Sequence, residues 1–158
     1  MSENINLENE PISNEEPIVI TNKYELIAEW LKEYTPLNKY VYFNVTPFES
    51  DNVSLNSVSG EAYLDEFIDG THRIELLFSV NYILDYNELK SDLNLRMNEE
   101  FISLNKWVNE QDEQGNYPDF VNCIMEKVEP LTTTPTVTRD TTHNLAKYQG
   151  EFKITYIE

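Results

Sequence analysis

Cysteine occurs once in the 158 residues, at Cys123, which excludes an internal disulfide and leaves no cysteine spacing able to hold a metal. Placed beside Ile124 and Met125, it reads as a small buried apolar residue. Glycine occurs four times, too rarely for a backbone cradle around phosphate, and no phosphate loop, dinucleotide fingerprint or nucleophile elbow is present. Basic residues are scarce: 11 Lys and Arg stand against 29 Asp and Glu, for a formal charge of −18. A phosphate-rich surface would repel such a chain, so sequence-specific DNA or RNA binding is disfavoured. No run approaches the ~18 apolar residues of a membrane span. The first residues show neither a basic nor an apolar leader region, which leads us to expect synthesis in the cytoplasm.

What the chain does contain suits one globular core. Apolar residues make up 40% of it, and 10 Tyr, 7 Phe and 2 Trp supply bulky core material. Residues 1–20 stand apart as an acidic N-terminal arm. Met1 to Glu16 carries Glu3, Glu8, Glu10, Glu15 and Glu16 with no Lys, Arg or aromatic, a composition that does not offset its own ordering entropy. Ile5, Leu7, Ile12 and Ile18-Val19-Ile20 leave open whether part of the arm orders against a neighbouring subunit. Residues 21–158 read as a single α+β domain.

Within that domain a helix should start at Asn22, with Glu25 at capping-box spacing and Tyr24, Ile27, Ala28, Leu31 and Tyr34 on one face. Tyr40 to Val45 has the β-branched and aromatic density of a strand. Glu49 to Ser59 is rich in Ser and Asn and reads as a loop. Glu61 to Ile68 reads as a strand, and Asp69-Gly70 as a hairpin turn. In the strand that follows, Ile74, Leu76, Phe78, Val80 and Tyr82 should line a buried face. Glu75, Leu77, Ser79 and Asn81 should line a mostly polar one. Leu89, Leu93, Met97, Phe101, Leu104 and Val108 recur at helical steps and predict a second helix over 87–111. Strands are predicted near Cys123 to Leu131 and Lys147 to Ile157, with Thr132 to Asn144 as a long hairpin or exposed contact loop. The expected fold is therefore a mainly antiparallel sheet of about five strands covered by two helices.

Reaction chemistry is hard to find in this pattern. His72 and His143 sit in polar sequence, as turn or surface residues do, and no local motif supports a catalytic triad. Asp65, Glu66 and Asp69 are close in sequence, yet strand alternation sends Asp65 and Glu66 to opposite faces, so solvated charge is the better reading. Glu110 to Gly115 resembles a calcium loop only until Val121, which stands where the bidentate Glu belongs. Neither helix has a Lys/Arg-rich polar face suited to a membrane. Lys39-Tyr40 and Lys147-Tyr148 are two isolated basic-aromatic pairs, not a single-strand groove. No catalytic, cofactor-binding or metal residue emerges.

Three blocks carry a resemblance: Asp69-Gly70 leading into Arg73 to Val80; Leu104 to Gln111 followed by Gly115-Asn-Tyr-Pro118; and Ala146 to Tyr156. In order and spacing, over about Tyr24 to Glu158, they resemble a family of tail-completion proteins of phages and prophages of Gram-positive bacteria. These are minor capsid or tail terminator proteins, sometimes mislabelled as chloramphenicol resistance proteins. The resemblance implies a tail-terminator-like α/β subunit of a homo-oligomeric ring, a hexamer, at the head–tail junction of the virion. That ring caps the tail tube, joins it to the head-to-tail connector and lets DNA pass. It implies no enzyme activity, no cofactor and no site residue that can be carried over. The acidic arm and the polar loop around Asp51 depart from the pattern. We expect Glu49, Asp51 and Asp140, in predicted loops, to face the lumen. The alternative from another class is an acidic DNA-mimic or regulatory inhibitor that occupies a basic partner; a small enzyme is a third.

Overall fold

Asn22 opens the first helix as the sequence predicts: its side chain accepts the N–H of Tyr24 at 2.9 Å and of Glu25 at 3.3 Å. Two of the four donors left over at a helix start are satisfied in this way. The computed structural model describes residues 22–34, 41–43, 52–86 and 90–158. Its elements are α1 (Lys23–Leu31), β1 (Val41–Phe43), β2 (Asn52–Glu66), β3 (His72–Asp85), α2 (Lys90–Gln114), β4 (Ile124–Pro130), β5 (Thr136–Asp140) and β6 (Leu145–Ile157).

The strands form one sheet in the order β1, β2, β3, β6, with β4 and β5 sharing the far side of β6. β4 lies against Phe152 to Ile157, and β5 lies against Leu145 to Gln149. Strands β2 to β6 pair antiparallel, while β1 joins β2 in parallel along Val53 to Leu55. The fold is α+β, with two helices on a sheet whose five longer-paired strands are antiparallel.

Period-two alternation decides which side of the sheet is inside. Ile74, Leu76, Phe78 and Val80 of β3 pair across from Tyr156, Ile154, Phe152 and Gly150 of β6, and all eight are buried. Both helices close over this face. Ile27, Trp30 and Leu31 of α1 and Met97, Phe101, Leu104 and Val108 of α2 complete the core. Each such side chain contributes roughly 1.5–3 kcal/mol on full burial. The helices also touch each other, with the Trp30 and Trp107 rings 4.8 Å apart, and Trp30 Nε1 donates to Asn116 O at 2.9 Å.

Several expectations change. The loop expected over 49–59 is, from Asn52 onward, the first half of β2. Its Val53 and Leu55 are buried opposite Tyr82 and Val80, and this pairing outweighs the turn preference of Ser and Asn. The predicted polar face of β3 is polar at the hairpin end. Toward the other end, however, Ser79, Asn81 and Ile83 are buried together with Ser54. Asn81 Nδ2 there donates to Ser79 Oγ at 3.3 Å. Thr132 to Asn144 does contain a hairpin arm, β5, which adds a sixth strand. The second helix runs on to Gln114. Cys123 is half-buried rather than enclosed, and that burial pushes its thiol pKa up.

Candidate functional site

Of the three residues expected to face a lumen, Glu49 and Asp51 lie outside the described residues. Asp140 ends β5 and caps the tight turn into β6. Its carboxylate accepts the N–H of Thr142 at 2.9 Å and of His143 at 3.2 Å, and lies 2.8 Å from His143 Nδ1. The His143 side chain, followed by these backbone donors, holds the Asp140 carboxyl below its usual range. Its position is half-buried, and its geometry is that of a turn cap.

The acidic residues around the β2–β3 hairpin are divided among separate partners. Asp65 meets Arg73 Nη1 at 2.8 Å, and Arg73 Nε reaches across the end of β6 to Glu126 at 2.7 Å. The two carboxylates raise the Arg73 pKa, and Arg73 lowers that of Glu126. Asp69 accepts both the N–H and the hydroxyl of Thr71, at 3.0 and 2.6 Å, which lowers its own pKa. Further along the same sheet face, Lys153 bridges Glu75 and Glu129 at 2.9 and 3.1 Å. Among the described residues no three His, Cys, Asp or Glu side chains gather closely enough to hold a metal ion.

A cluster that sequence reasoning missed sits at the start of α1. Lys23 Nζ lies 2.6 Å from Glu61, 3.0 Å from Glu158 and 4.7 Å from the centre of the Tyr156 ring. Tyr156 in turn donates to Glu61 at 2.8 Å. Burial alone would lower the Lys23 pKa, but hydrogen bonds with Glu61, Tyr156 and Glu158 together raise it. The Glu61 carboxyl is lowered, chiefly by Lys23. This arrangement ties α1 to β2 and β6. Its members are far apart in sequence, and no local motif announces them.

Exposed apolar side chains gather at the same end of the sheet. Ile68 at the hairpin tip is fully exposed, Tyr63 is 66% and Leu64 48% exposed, and Val121 of the α2–β4 connection and Ile124 at the start of β4 are open as well. A shallow hollow lies between Tyr63, Leu64, Asp65, Glu66 and His72. Its form suits contact with another surface rather than enclosure of a small molecule. No described helix is long and apolar enough to cross a membrane. No protein-family model matches the chain, and no curated protein matches it.

Proposed function

We propose that this chain is a structural subunit of a phage tail, a tail terminator that assembles as a hexameric ring on the end of the tail tube and joins it to the head-to-tail connector. The observation that supports this reading is spatial: the three sequence blocks that carry the family resemblance pack into one unit. Arg73 to Val80 and Ala146 to Tyr156 are the partnered halves of β3 and β6, in register from Arg73 opposite Ile157 onward. The Leu104 to Gln111 block lies over them in α2 with Leu104 and Val108 fully buried, and Pro118 is buried in the segment that follows. The resemblance therefore falls on a rigid framework, and assembly surfaces are left to the hairpins, loops and arm around it.

In this reading the net charge of −18 serves passage of DNA without adhesion, with Glu49, Asp51 and Asp140 facing the lumen. A structure of the assembled ring that places those three on its outer wall would remove them from that role. The ring itself is tested by negative-stain imaging of the purified protein with and without tail tubes. Free rings, or tubes with a capped end, are expected. Monomers that leave added tubes uncapped would overturn the proposal, and a one-to-one complex with a basic DNA-binding protein would favour the inhibitor instead. Detection of the chain in purified virions, at the head–tail junction by immunogold labelling, tests its location.

A further inference from the structure

We infer that neighbouring copies join head to tail by strand pairing, the free edge of β2 in one copy against the free edge of β5 in the next. The sheet has four corners, and among the described residues two are closed. At one corner β1 occupies the β2 edge along Val53 to Leu55. Diagonally opposite, the outer edge of β4 is sealed from α2 and the segment after it: Asp112 Oδ1 accepts the Val128 N–H at 2.9 Å, and Tyr117 donates to Glu126 O at 3.2 Å. The other two corners carry no described partner strand. Glu61 to Glu66 of β2 and Thr136 to Arg139 of β5 are exposed along their length. An unpaired edge is a template for another chain unless it is covered.

Strand direction favours a second copy in the same orientation. From β2 through β3 and β6 to β5 every pairing is antiparallel, so the two free edges run in opposite directions within one sheet. A neighbour related by simple rotation about a ring axis brings its β2 alongside β5 antiparallel and continues the alternation. Because the two edges differ, the contact is heterologous, the kind that closes into a ring. The edges sit at diagonal corners, so each copy is staggered along the strands, and closure inclines the strands to the ring axis as shear does in a barrel.

Length and charge also match. Register shifts between Ser57 and Gly60 and between Tyr63 and Asp65 bound an uninterrupted stretch of β2, Gly60 to Tyr63. The five residues of β5 are of similar length. The bulges thus stop pairing from running further along the edge. Among the described side chains, Arg96, Arg139 and Lys147 are the cations with no ion-pair partner, whereas the others appear in salt bridges. Arg139 lies on β5, and Lys147 is its neighbour on β6, opposite Thr138. Beside the β2 edge, Glu66 is exposed and has no cationic partner among the described residues, and Tyr63 and Leu64 are exposed. An acidic, partly apolar edge therefore meets a locally cationic edge of an acidic protein.

This assignment rests on the ring reading above, and the experiment separates the two. Ala62→Cys and Thr138→Cys, both on the sheet face opposite the helices by register with Glu75 and Ile83, are made singly in a Cys123→Ser background. They are mixed on tail tubes and treated with a short bismaleimide. Cross-linked dimers only in the mixture, and a ladder of oligomers from the double variant, are expected. Glu66→Lys should weaken assembly at least several-fold, and adding Arg139→Glu, which the register with Ala146 puts on the same sheet face as Glu66, should restore it. Homodimers of either single variant would overturn head-to-tail pairing. Rings in negative stain without any cross-link would overturn the edge contact and leave the ring standing. Absence of oligomers, with tubes uncapped, would overturn both.

Discussion

The ring of Phe101 lies directly over Gly150, so close that a Cβ built on the glycine would stand 2.5 Å from Phe101 Cε1. Gly150 pairs with Val80 in the middle of the sheet, and the missing side chain is what lets α2 settle onto β6 there. The backbone needs no unusual conformation at this position, so the requirement is one of space. Gly150→Ala should cost about 1–3 kcal/mol, the range for overpacking a core, and Gly150→Val more. Phe101→Leu in the Gly150→Ala background should recover part of the loss. Urea unfolding of Gly150→Ala, Phe101→Leu and the double variant checks the coupling; additive effects would show that the two residues do not meet.

Lys23 should make the protein sensitive at both ends of the pH scale. Its folded pKa is raised, so its contribution is complete below the unfolded value of about 10.4 and is lost as pH climbs through the higher folded value. Glu61 is lowered in the fold, so its share is present above about 4.3 and vanishes as pH falls through its folded value. Lys23→Met should flatten both limbs. It should cost about 1 kcal/mol at neutral pH, because the site is partly exposed and screened. Thermal melts from pH 3 to 11 read this directly; unchanged limbs would show that the cluster does not couple to folding.

Much of the framework is legible in the sequence because it is written in local patterns. Asn22 and Glu25 announce the α1 start, and the strict alternation of Phe152, Ile154 and Tyr156 announces a half-buried strand. The start of β2 is not legible. Asn52 to Ser59 has the composition of a turn, and only its pairing with Asn81, Val80 and Ser79 makes it a strand. The Lys23 cluster fails to show for the same reason, since Lys23, Glu61, Tyr156 and Glu158 meet only after the sheet and α1 have packed. Asp140 could be placed at a turn, while its role as an acceptor for Thr142 and His143 needed the geometry. The open edges depend on which strands pair, which no single segment encodes.

Buried phenols should dominate the alkaline titration. Burial raises the pKa of Tyr82, Tyr156 and Tyr148. Each therefore adds stability that is full below the unfolded value of about 10 and is lost as pH rises through its folded value. Absorbance at 295 nm should reveal some tyrosines titrating near 10 and others only together with loss of near-ultraviolet circular dichroism. Tyr82→Phe should remove one late-titrating group, and because the Tyr82 hydroxyl has no hydrogen-bond partner among the described residues, stability should hold or rise slightly. A uniform titration near 10 with the fold intact would contradict this.

Asp112 protects an edge, and its loss should be felt as aggregation more than as unfolding. Its Oδ1 accepts the Val128 N–H at 2.9 Å and receives the Tyr117 hydroxyl at 3.1 Å, and it does so from α2, just outside β4. Asp112→Ala takes the acceptor from the part-buried Val128 N–H, a loss worth roughly 1–3 kcal/mol where water does not replace it, and creates a third template for strand addition. Asp112→Asn keeps an acceptor oxygen in place and should retain most of the protection. Light scattering at matched concentration should therefore rank Asp112→Ala well above Asp112→Asn and the parent chain in self-association. The excess should persist when the β2 edge is blocked by Glu66→Lys, since β4 is a different corner of the sheet. Equal scattering from the alanine variant and the parent would mean that β4 has other cover.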